Sequence, residues 1–148
     1  MYSTANHGLT WNDVTAGMPD SLYFTSLDIN DQNPSIAYVA LAGFVAGKKV
    51  YKTLNAGQTW QNISSNLPNL PVNCIKVLPG TTNLLAATDI GVYEYDSASG
   101  NWNQQSAGLP NVIVSDIEIN PALNKVYVCT FGRGIWSTDL NIVAGTSS

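Results

Sequence analysis

The sequence has few charged residues and few of the side chains that usually carry out chemistry. Of its 148 residues 11% are charged, and it contains one histidine, His7, and one arginine, Arg133. A formal net charge of −4 gives no electrostatic reason to bind nucleic acid or an acidic lipid surface. The composition therefore disfavours these partners and leaves few candidates for catalysis.

Long apolar runs and cysteine clusters are also missing. No window reaches the roughly 18 apolar residues that a membrane helix needs, and no secretory signal is visible. The two cysteines, Cys74 and Cys129, each lie inside an apolar run. A disulfide or a metal pair is one interpretation, and two buried thiols on different structural units is the favoured one. Nothing has metal-ligand spacing, so we expect neither a metal nor a cofactor.

The most informative feature that is present is an eight-residue pattern that occurs three times. Residues 53–60 read Thr-x-Asn-x-Gly-x-Thr-Trp, and residues 4–11 show the same frame 49 positions earlier. Residues 95–102 hold a degenerate copy, in which glycine and tryptophan are two positions apart rather than three, so that one residue is missing between them, and the second threonine is absent. We call these segments the first (4–11), second (53–60) and third (95–102) octets. Their recurrence in register indicates a repeat protein.

The octets have the composition of a self-fastened hairpin. A short Asn side chain bonds main-chain amides ahead of it, and glycine supplies a left-handed conformation. The threonine hydroxyls tie the ends of the turn, and the tryptophan then starts a strand and is expected to place its ring in the core. We predict a structural role for the residues of the pattern. They are Thr4, Asn6, Gly8, Thr10, Trp11, Thr53, Asn55, Gly57, Thr59, Trp60 and Trp102.

The octet resembles the Asp-box, or BNR repeat, of sialidases, two-domain xyloglucanases, sortilin-type receptors and photosystem II assembly factors. The family pattern is Ser/Thr-x-Asp-x-Gly-x-Thr-Trp, and Asn6 and Asn55 replace its aspartate here. In that family the box joins the two outer strands of a β-propeller blade, away from the central pocket. The resemblance covers nearly the whole chain and implies a propeller fold, but it is weak for function.

Between the octets, short apolar runs alternate with turn signals, which is typical of all-β proteins. We predict twelve strands in groups of one, four, four and three: 11–14; 22–30, 36–41, 49–53 and 60–63; 72–78, 84–88, 91–95 and 102–105; 113–119, 125–130 and 134–138. The expected fold is all-β, with about three four-stranded antiparallel propeller blades. The blades fill residues 1–140, in repeat units of about 11–59, 60–101 and 102–140, and residues 141–148 form a tail or linker.

Three blades do not close a ring, because propellers usually have four to eight. We expect the lone first strand and the three last strands to complete one blade between two chains, or with further blades of a parent chain. A homodimer of this kind is a six-bladed ring with the strand of Trp11 beside residues 134–138 of the partner. The chain starts inside a repeat, which favours the C-terminal part of a larger secreted or cell-surface protein.

Ligands of Asp-box propellers usually bind at the face opposite the boxes. The residues of this chain that the resemblance places there are Phe44, Lys48, Asp89 and Arg133. Arg133 lies between glycines and has the donors to reach a carboxylate or sugar hydroxyls, and the alternative is an arginine that only fixes its loop. A glycosidase needs two opposed carboxylates, for which Asp28 and Glu118 are the pair to nominate. Both share a repeat position with Lys76.

We expect a non-catalytic binding or interaction scaffold, extracellular or at the cell surface, with a carbohydrate or protein ligand. A sialidase-type site would need several arginines, which this chain does not have. The alternative is a fragment of a xyloglucanase-like glycoside hydrolase whose catalytic residues come partly from other blades. A protein-binding assembly factor is a third hypothesis. The fold does not choose among them, because propellers host many functions.

Overall fold

A computed structural model of the chain describes residues 1–105 and 108–140. These residues form thirteen strands and no helix, so none of them belongs to a helix that is long and apolar enough to cross a membrane. The strands are β1 (Tyr2–Ser3), β2 (Asn12–Asp13), β3 (Phe24–Ile29), β4 (Ala37–Leu41), β5 (Val50–Thr53), β6 (Gln61–Asn62), β7 (Val72–Val77), β8 (Leu84–Thr88), β9 (Gly91–Asp96), β10 (Asn101–Gln105), β11 (Val114–Asn120), β12 (Lys125–Thr130) and β13 (Gly134–Asp139). The predicted tail, residues 141–148, lies outside the described residues.

The strands form a hairpin and three antiparallel sheets that follow one another along the chain. The hairpin is β1–β2, blade 1 is β3–β6, blade 2 is β7–β10 and blade 3 is β11–β13, and neighbours in each sheet are consecutive in sequence. All twelve predicted strands are present, with ends shifted by at most two residues. The predicted grouping of four, four and three strands is therefore correct for the blades.

The prediction of a lone first strand is wrong. Tyr2 pairs with Asp13 and Ser3 pairs with Asn12, so β2 has a partner within the chain. The first octet joins β1 to β2 as the second octet joins β5 to β6, and the hairpin therefore corresponds to the two outer strands of a blade. Two residues are too few to show the alternation that identifies a strand such as β1.

The core lies in the seams, by which we mean the contacts between consecutive units of the fold. One buried cluster lies between the hairpin and blade 1, one between blades 1 and 2, and one between blades 2 and 3. The first strands of the blades lie side by side, with β7 in contact with β3 and β11. Blade 2 is covered on both faces, and for this reason all five residues of β8 are buried.

Both cysteines are free thiols on different blades, and no disulfide joins them. Cys74 on β7 is buried, whereas Cys129 on β12 is only half-buried, contrary to the prediction of two buried thiols. Burial raises the pKa of the Cys74 thiol, and the nearby Asp116, whose Oδ1 lies 3.2 Å from Sγ, also raises it. Cys74 therefore stays protonated and acts as a small apolar residue.

Candidate functional site

The loops between the second and third strands of each blade lie at one end of the blades, which we call the loop face. Because strands alternate in direction, the second octet and the third octet lie at the opposite end. The four predicted ligand residues are on the loop face, on three successive blades. Phe44 and Lys48 lie between β4 and β5, Asp89 follows β8, and Arg133 precedes β13.

Three of these four side chains are exposed. Phe44 is 65% exposed, and the side chains of Lys48 and Arg133 are exposed as well. The main-chain carbonyl of Arg133 accepts a hydrogen bond from Trp136 Nε1 at 3.0 Å, and this bond ties the loop to β13. The guanidinium makes no hydrogen bond or ion pair to residues 1–105 or 108–140. The main chain, and not the side chain, fixes the loop, so the side chain is free to meet a ligand.

Asp89 is half-buried and has a structural partner. Asn73 Nδ2 donates to Asp89 Oδ1 at 3.1 Å and to the carbonyl of Val114 at 2.9 Å. Asn73 lies on blade 2 and Val114 on blade 3, so these bonds help to hold the two blades together. Asp89 is consequently less available to a ligand than Phe44 or Arg133.

The three charged residues expected at one repeat position lie on the adjacent innermost strands β3, β7 and β11. Lys76 Nζ lies 3.1 Å from Glu118 Oε1, and the amide of Val77 donates to Asp28 Oδ2 at 2.7 Å. Burial lowers the pKa of Lys76, but the hydrogen bond to Glu118 and the charges of Glu118 and Asp28 outweigh it and raise this pKa. Each of the two nominated carboxylates therefore already has a partner within the chain.

The first and second octets are closed by the same hydrogen bonds. Asn55 Oδ1 accepts from the Thr59 amide and the Thr53 hydroxyl, both at 2.9 Å, and the Thr53 hydroxyl accepts from the Gly57 amide at 2.9 Å. The corresponding distances in the first octet are 2.9, 3.0 and 3.0 Å. Gly57 and the residue before it, Ala56, have φ values of 89° and 54°. The turn is thus a local structure that the octet builds from its own side chains.

The tryptophans that end the octets differ in their surroundings. Trp102 is 2% exposed, and its Nε1 donates to the Ile63 carbonyl at 2.8 Å. Trp60 is half-buried and bonds the Val14 carbonyl in the same way at 2.8 Å. Trp11 is 59% exposed. The prediction of a core position is wrong for Trp11, because no earlier unit of the described chain packs in front of it.

A buried lysine supports the loop face and is not apparent from the sequence. Lys49 is fully buried, and its ammonium donates to the carbonyl of Gly43. Its amide donates to Ser64 Oγ at 2.8 Å. Burial lowers the pKa of this ammonium. Lys49 therefore anchors the loop that carries Phe44 and Lys48, but two adjacent lysines in the sequence do not show which of them is inside.

Two cavities in the described part of the chain lie away from the loop face. The first, of about 150 Å³, lies between blades 2 and 3 beside β13, and the second lies beside β3. None of the four loop-face candidates lines either cavity. Within residues 1–105 and 108–140, no three His, Cys, Asp or Glu side chains are grouped to hold a metal ion.

No protein-family model and no curated protein matches the sequence. Solved structures do match the fold. The chain is similar to the GH74 enzyme of Niastella koreensis, with 18% identity and a TM-score of 0.67 over 86% of this chain and 21% of that one. It is similar to the extracellular domain of the hybrid two component system BT4673 from B. thetaiotaomicron, with 15% identity and a TM-score of 0.62 over 86% of this chain and 17% of that one. It is also similar to YCF48 from Cyanidioschyzon merolae, with 15% identity and a TM-score of 0.60 over 83% of this chain and 36% of that one.

These three similar structures are β-propeller proteins, and the predicted fold class is thereby confirmed. The chain is an all-β set of propeller blades. It spans between 17% and 36% of the length of the three structures. Identities of 15% to 18% carry the fold and not the activity.

Proposed function

Because the chain is a set of β-propeller blades, we propose that it is a non-catalytic binding scaffold whose loop face takes a carbohydrate. The observation that carries this proposal is the exposure of three side chains on that face. Phe44 and Phe131 are 65% and 77% exposed, and Arg133 is exposed beside Phe131. Aromatic faces offer flat apolar area, and a guanidinium offers several donors for hydroxyl or carboxylate oxygens.

The rigidity of the loops supports binding by this surface. Lys49 fixes the loop of Phe44 from inside, and the bond between Trp136 and Arg133 fixes the loop of Phe131. Exposed groups on fixed loops lose little conformational freedom when they bind, which improves affinity.

A glycoside hydrolase is the second candidate, and the structural similarity to a GH74 enzyme is the reason to test it. The carboxylates of this chain do not favour it, because Lys76 pairs with Glu118 and the Val77 amide bonds Asp28. A retaining or inverting mechanism requires one carboxylic acid that protonates the leaving group. Asp28 and Glu118 are instead both engaged by neighbouring groups of the innermost strands.

We also propose that the protein works outside the cell or at its surface. One of the similar structures is, by its name, an extracellular domain. The low charged fraction of 11% and the polarity carried by Asn, Ser and Thr suit a secreted repeat protein.

A glycan panel tests the binding proposal. Immobilised β-glucans, xyloglucan and sialosides should retain the chain without release of sugar. Phe44→Ala and Arg133→Ala should each reduce retention, because they remove the exposed contacts of the loop face. Leu54→Ala is the matched control, since Leu54 is 59% exposed on the second octet at the opposite end of the blades.

Three outcomes would contradict the proposal. Product release that Asp28→Asn or Glu118→Gln abolishes would show a hydrolase. Retention that depends on Leu54 as much as on Phe44 would show non-specific adhesion. No retention by any glycan, together with specific capture of a protein by the loop face, would replace the carbohydrate by a protein ligand.

A further inference from the structure

Two of the three seams are each filled by a tryptophan, which comes from the unit that is later in the sequence. Trp60 precedes β6 of blade 1 and reaches back to the hairpin, where it bonds the carbonyl of Val14. Trp102 lies in β10 of blade 2 and reaches back to blade 1, where it bonds the carbonyl of Ile63. Its ring also packs on Tyr95, with the ring centroids 5.0 Å apart. A tryptophan at or just before the fourth strand of a blade thus fills the seam between that blade and the preceding unit.

The seam between blades 2 and 3 has no tryptophan in this position in the described part of the chain. Blade 3 has three strands there, and the last tryptophan of the sequence, Trp136, lies in β13, its third strand. The cavity of about 150 Å³ lies in this seam. An apolar cavity of about 150 Å³ is large enough to hold one aromatic ring.

The walls of this cavity repeat the surroundings of Trp102. Four of the residues that line it correspond, by strand register, to residues that share a buried cluster with Trp102. The cavity residues are Leu85, Val92, Val126 and Val128, and the equivalent residues are Tyr38, Val50, Leu84 and Ala86. Gln105 takes the place of Ile63, and Thr138 takes the place of Tyr95. The apolar part of this seam therefore resembles the seam that Trp102 fills.

Trp11 has the matching features. It holds the same octet position as Trp60 and Trp102, yet 59% of its surface is exposed. The hydrogen bonds of the first octet join residues 4, 6, 8 and 10, so they hold the turn before Trp11 without any bond to β1. A preformed turn presents the side chain that follows it at a small entropic cost.

We propose that the cavity is a socket for Trp11 of a second copy of this chain, whose β2 lies along β13 as the fourth strand of blade 3. The outer edge of β13 has no partner in the described chain, and a free edge is a template for another strand. In this arrangement the partner's β1 separates from β2 and β13 takes its place, because Tyr2 of β1 and Trp136 of β13 occupy the same position in the strand register. β1 pairs with β2 through two residues, whereas β13 has six residues available for pairing.

The other open surfaces of the chain fit the same contact. The residues of β3 that face away from blade 2 are exposed, whereas their equivalents in β7 are buried against blade 1. The former are Phe24, Leu27 and Ile29, at 40%, 53% and 49% exposure, and the latter are Val72, Ile75 and Val77, at 1%, 0% and 8%. On blade 3, Ile135 is 71% exposed where its equivalent Val50 is fully buried. Two copies that meet through both ends form a closed six-bladed ring with twofold symmetry.

Sedimentation equilibrium over a wide range of concentration tests the socket, and the test does not depend on the carbohydrate proposal. The chain should form a dimer, and Trp11→Ala should raise its dissociation constant about 30-fold or more, as expected for a central interface tryptophan. Leu9→Ala is the matched control, because Leu9 is 85% exposed in the same octet. Thr138→Trp should also weaken the dimer, since it fills the socket from within, with circular dichroism to show that the sheets are intact.

Fluorine NMR of the chain labelled with 5-fluorotryptophan supplies a second reading. The Trp11 signal, assigned by its loss in Trp11→Phe, should move as the dimer forms, whereas the signal of Trp102 should not. A chain that stays monomeric at all concentrations would overturn the proposal. So would a dimer that Trp11→Ala and Leu9→Ala affect equally, or one whose formation leaves the Trp11 signal unchanged.

Discussion

The first and second octets have the same internal hydrogen bonds and different surroundings. In both, an Asn side chain accepts from the threonine amide four residues later at 2.9 Å. Thr53 and Gly57 are buried, whereas Thr4 and Gly8 are exposed. The octet therefore determines the shape of its turn, and the neighbouring unit determines whether the turn is buried.

The third octet completes this comparison from the other side. It lacks the Asn and the second threonine of the pattern, and its turn uses a main-chain bond from the Gly100 amide to the Asp96 carbonyl at 2.8 Å. Its tryptophan, Trp102, is nevertheless the most buried of the three. The Asn and threonine bonds of the pattern are thus neither sufficient nor necessary for docking of the tryptophan in a seam, and in the third octet Asp96 Oδ1 accepts from the Ala98 amide instead.

Substitution of the octet tryptophans should show the largest difference in stability between the octets. Trp102→Ala removes a ring that is 2% exposed and should lower the free energy of unfolding by about 3–5 kcal/mol. Trp60→Ala should cost less, since Trp60 is half-buried, and Trp11→Ala should stay within about 0.5 kcal/mol for the monomer. Urea unfolding at low protein concentration measures all three. Equal losses for Trp11 and Trp102 would break the comparison.

Substitution of the octet glycines should show a smaller difference in stability between the first and second octets. Gly8 and Gly57 have φ values of 88° and 89°, so alanine at either site is strained by about 1–2 kcal/mol. A Cβ at Gly57 would also lie 3.0 Å from Val14 Cβ, which adds about 1–3 kcal/mol, whereas at Gly8 the nearest atom is 3.7 Å away. Gly57→Ala should therefore lower the urea midpoint more than Gly8→Ala. The reverse order would show that Val14 does not press on the second octet.

The first threonines of the two octets sharpen the comparison further. Thr53→Val leaves the buried amide of Gly57 without its acceptor and should cost about 1–3 kcal/mol. Thr4→Val leaves the exposed amide of Gly8 to water and should cost about 0.5 kcal/mol or less. Thermal unfolding of the two variants measures this difference. Similar shifts in Tm would mean that the turns contribute alike, whatever packs on them.

The smallest expected effect is on the pH dependence of stability. It concerns one repeat position that holds a lysine in blade 1 and a glutamate in blade 2. Lys52 on blade 1 lies over the Tyr38 ring, at 5.8 Å from its centroid, and Glu94 on blade 2 takes the equivalent position beside the cavity. Burial raises the pKa of Glu94, and the charge of Asp96 adds to this. The folded chain thus binds a proton that the unfolded chain has lost, so stability falls as pH rises through this window.

Glu94→Gln should remove that part of the fall in stability, which begins as pH rises through the ordinary Glu pKa of about 4.3. Lys52→Gln is the control and should leave the slope unchanged in this range. Urea midpoints at several pH values supply the measurement. An unchanged slope in Glu94→Gln would contradict the burial of this carboxyl.

The sequence predicts the strands well, because their signals are local. Turn residues and short apolar runs locate all twelve expected strands, and the octet pattern locates the hairpins between outer strands. The contacts that link separate blades have no local signal. The burial of Lys49 and the bond from Asn73 to Asp89 depend on neighbours that only the folded chain brings together.

The candidate site shows the same division. The resemblance places Phe44 and Arg133 on one face because the repeat fixes which loops share an end of the blades. It does not show that Asp89 is engaged by Asn73, or that Lys76 separates Asp28 from Glu118. The exposure of Trp11 follows from what lies in front of its hairpin, and the octet itself carries no trace of it.

Amide hydrogen exchange on the monomer tests most directly whether the neighbour, and not the turn, stabilises an octet. The amides of Thr10 and Thr59 both donate to an Asn Oδ1 at 2.9 Å, so their local bonds are matched. We expect Thr59 to exchange with an opening free energy near that of global unfolding, and Thr10 to exchange through local opening of the first hairpin. Equal protection of the two amides would contradict this account.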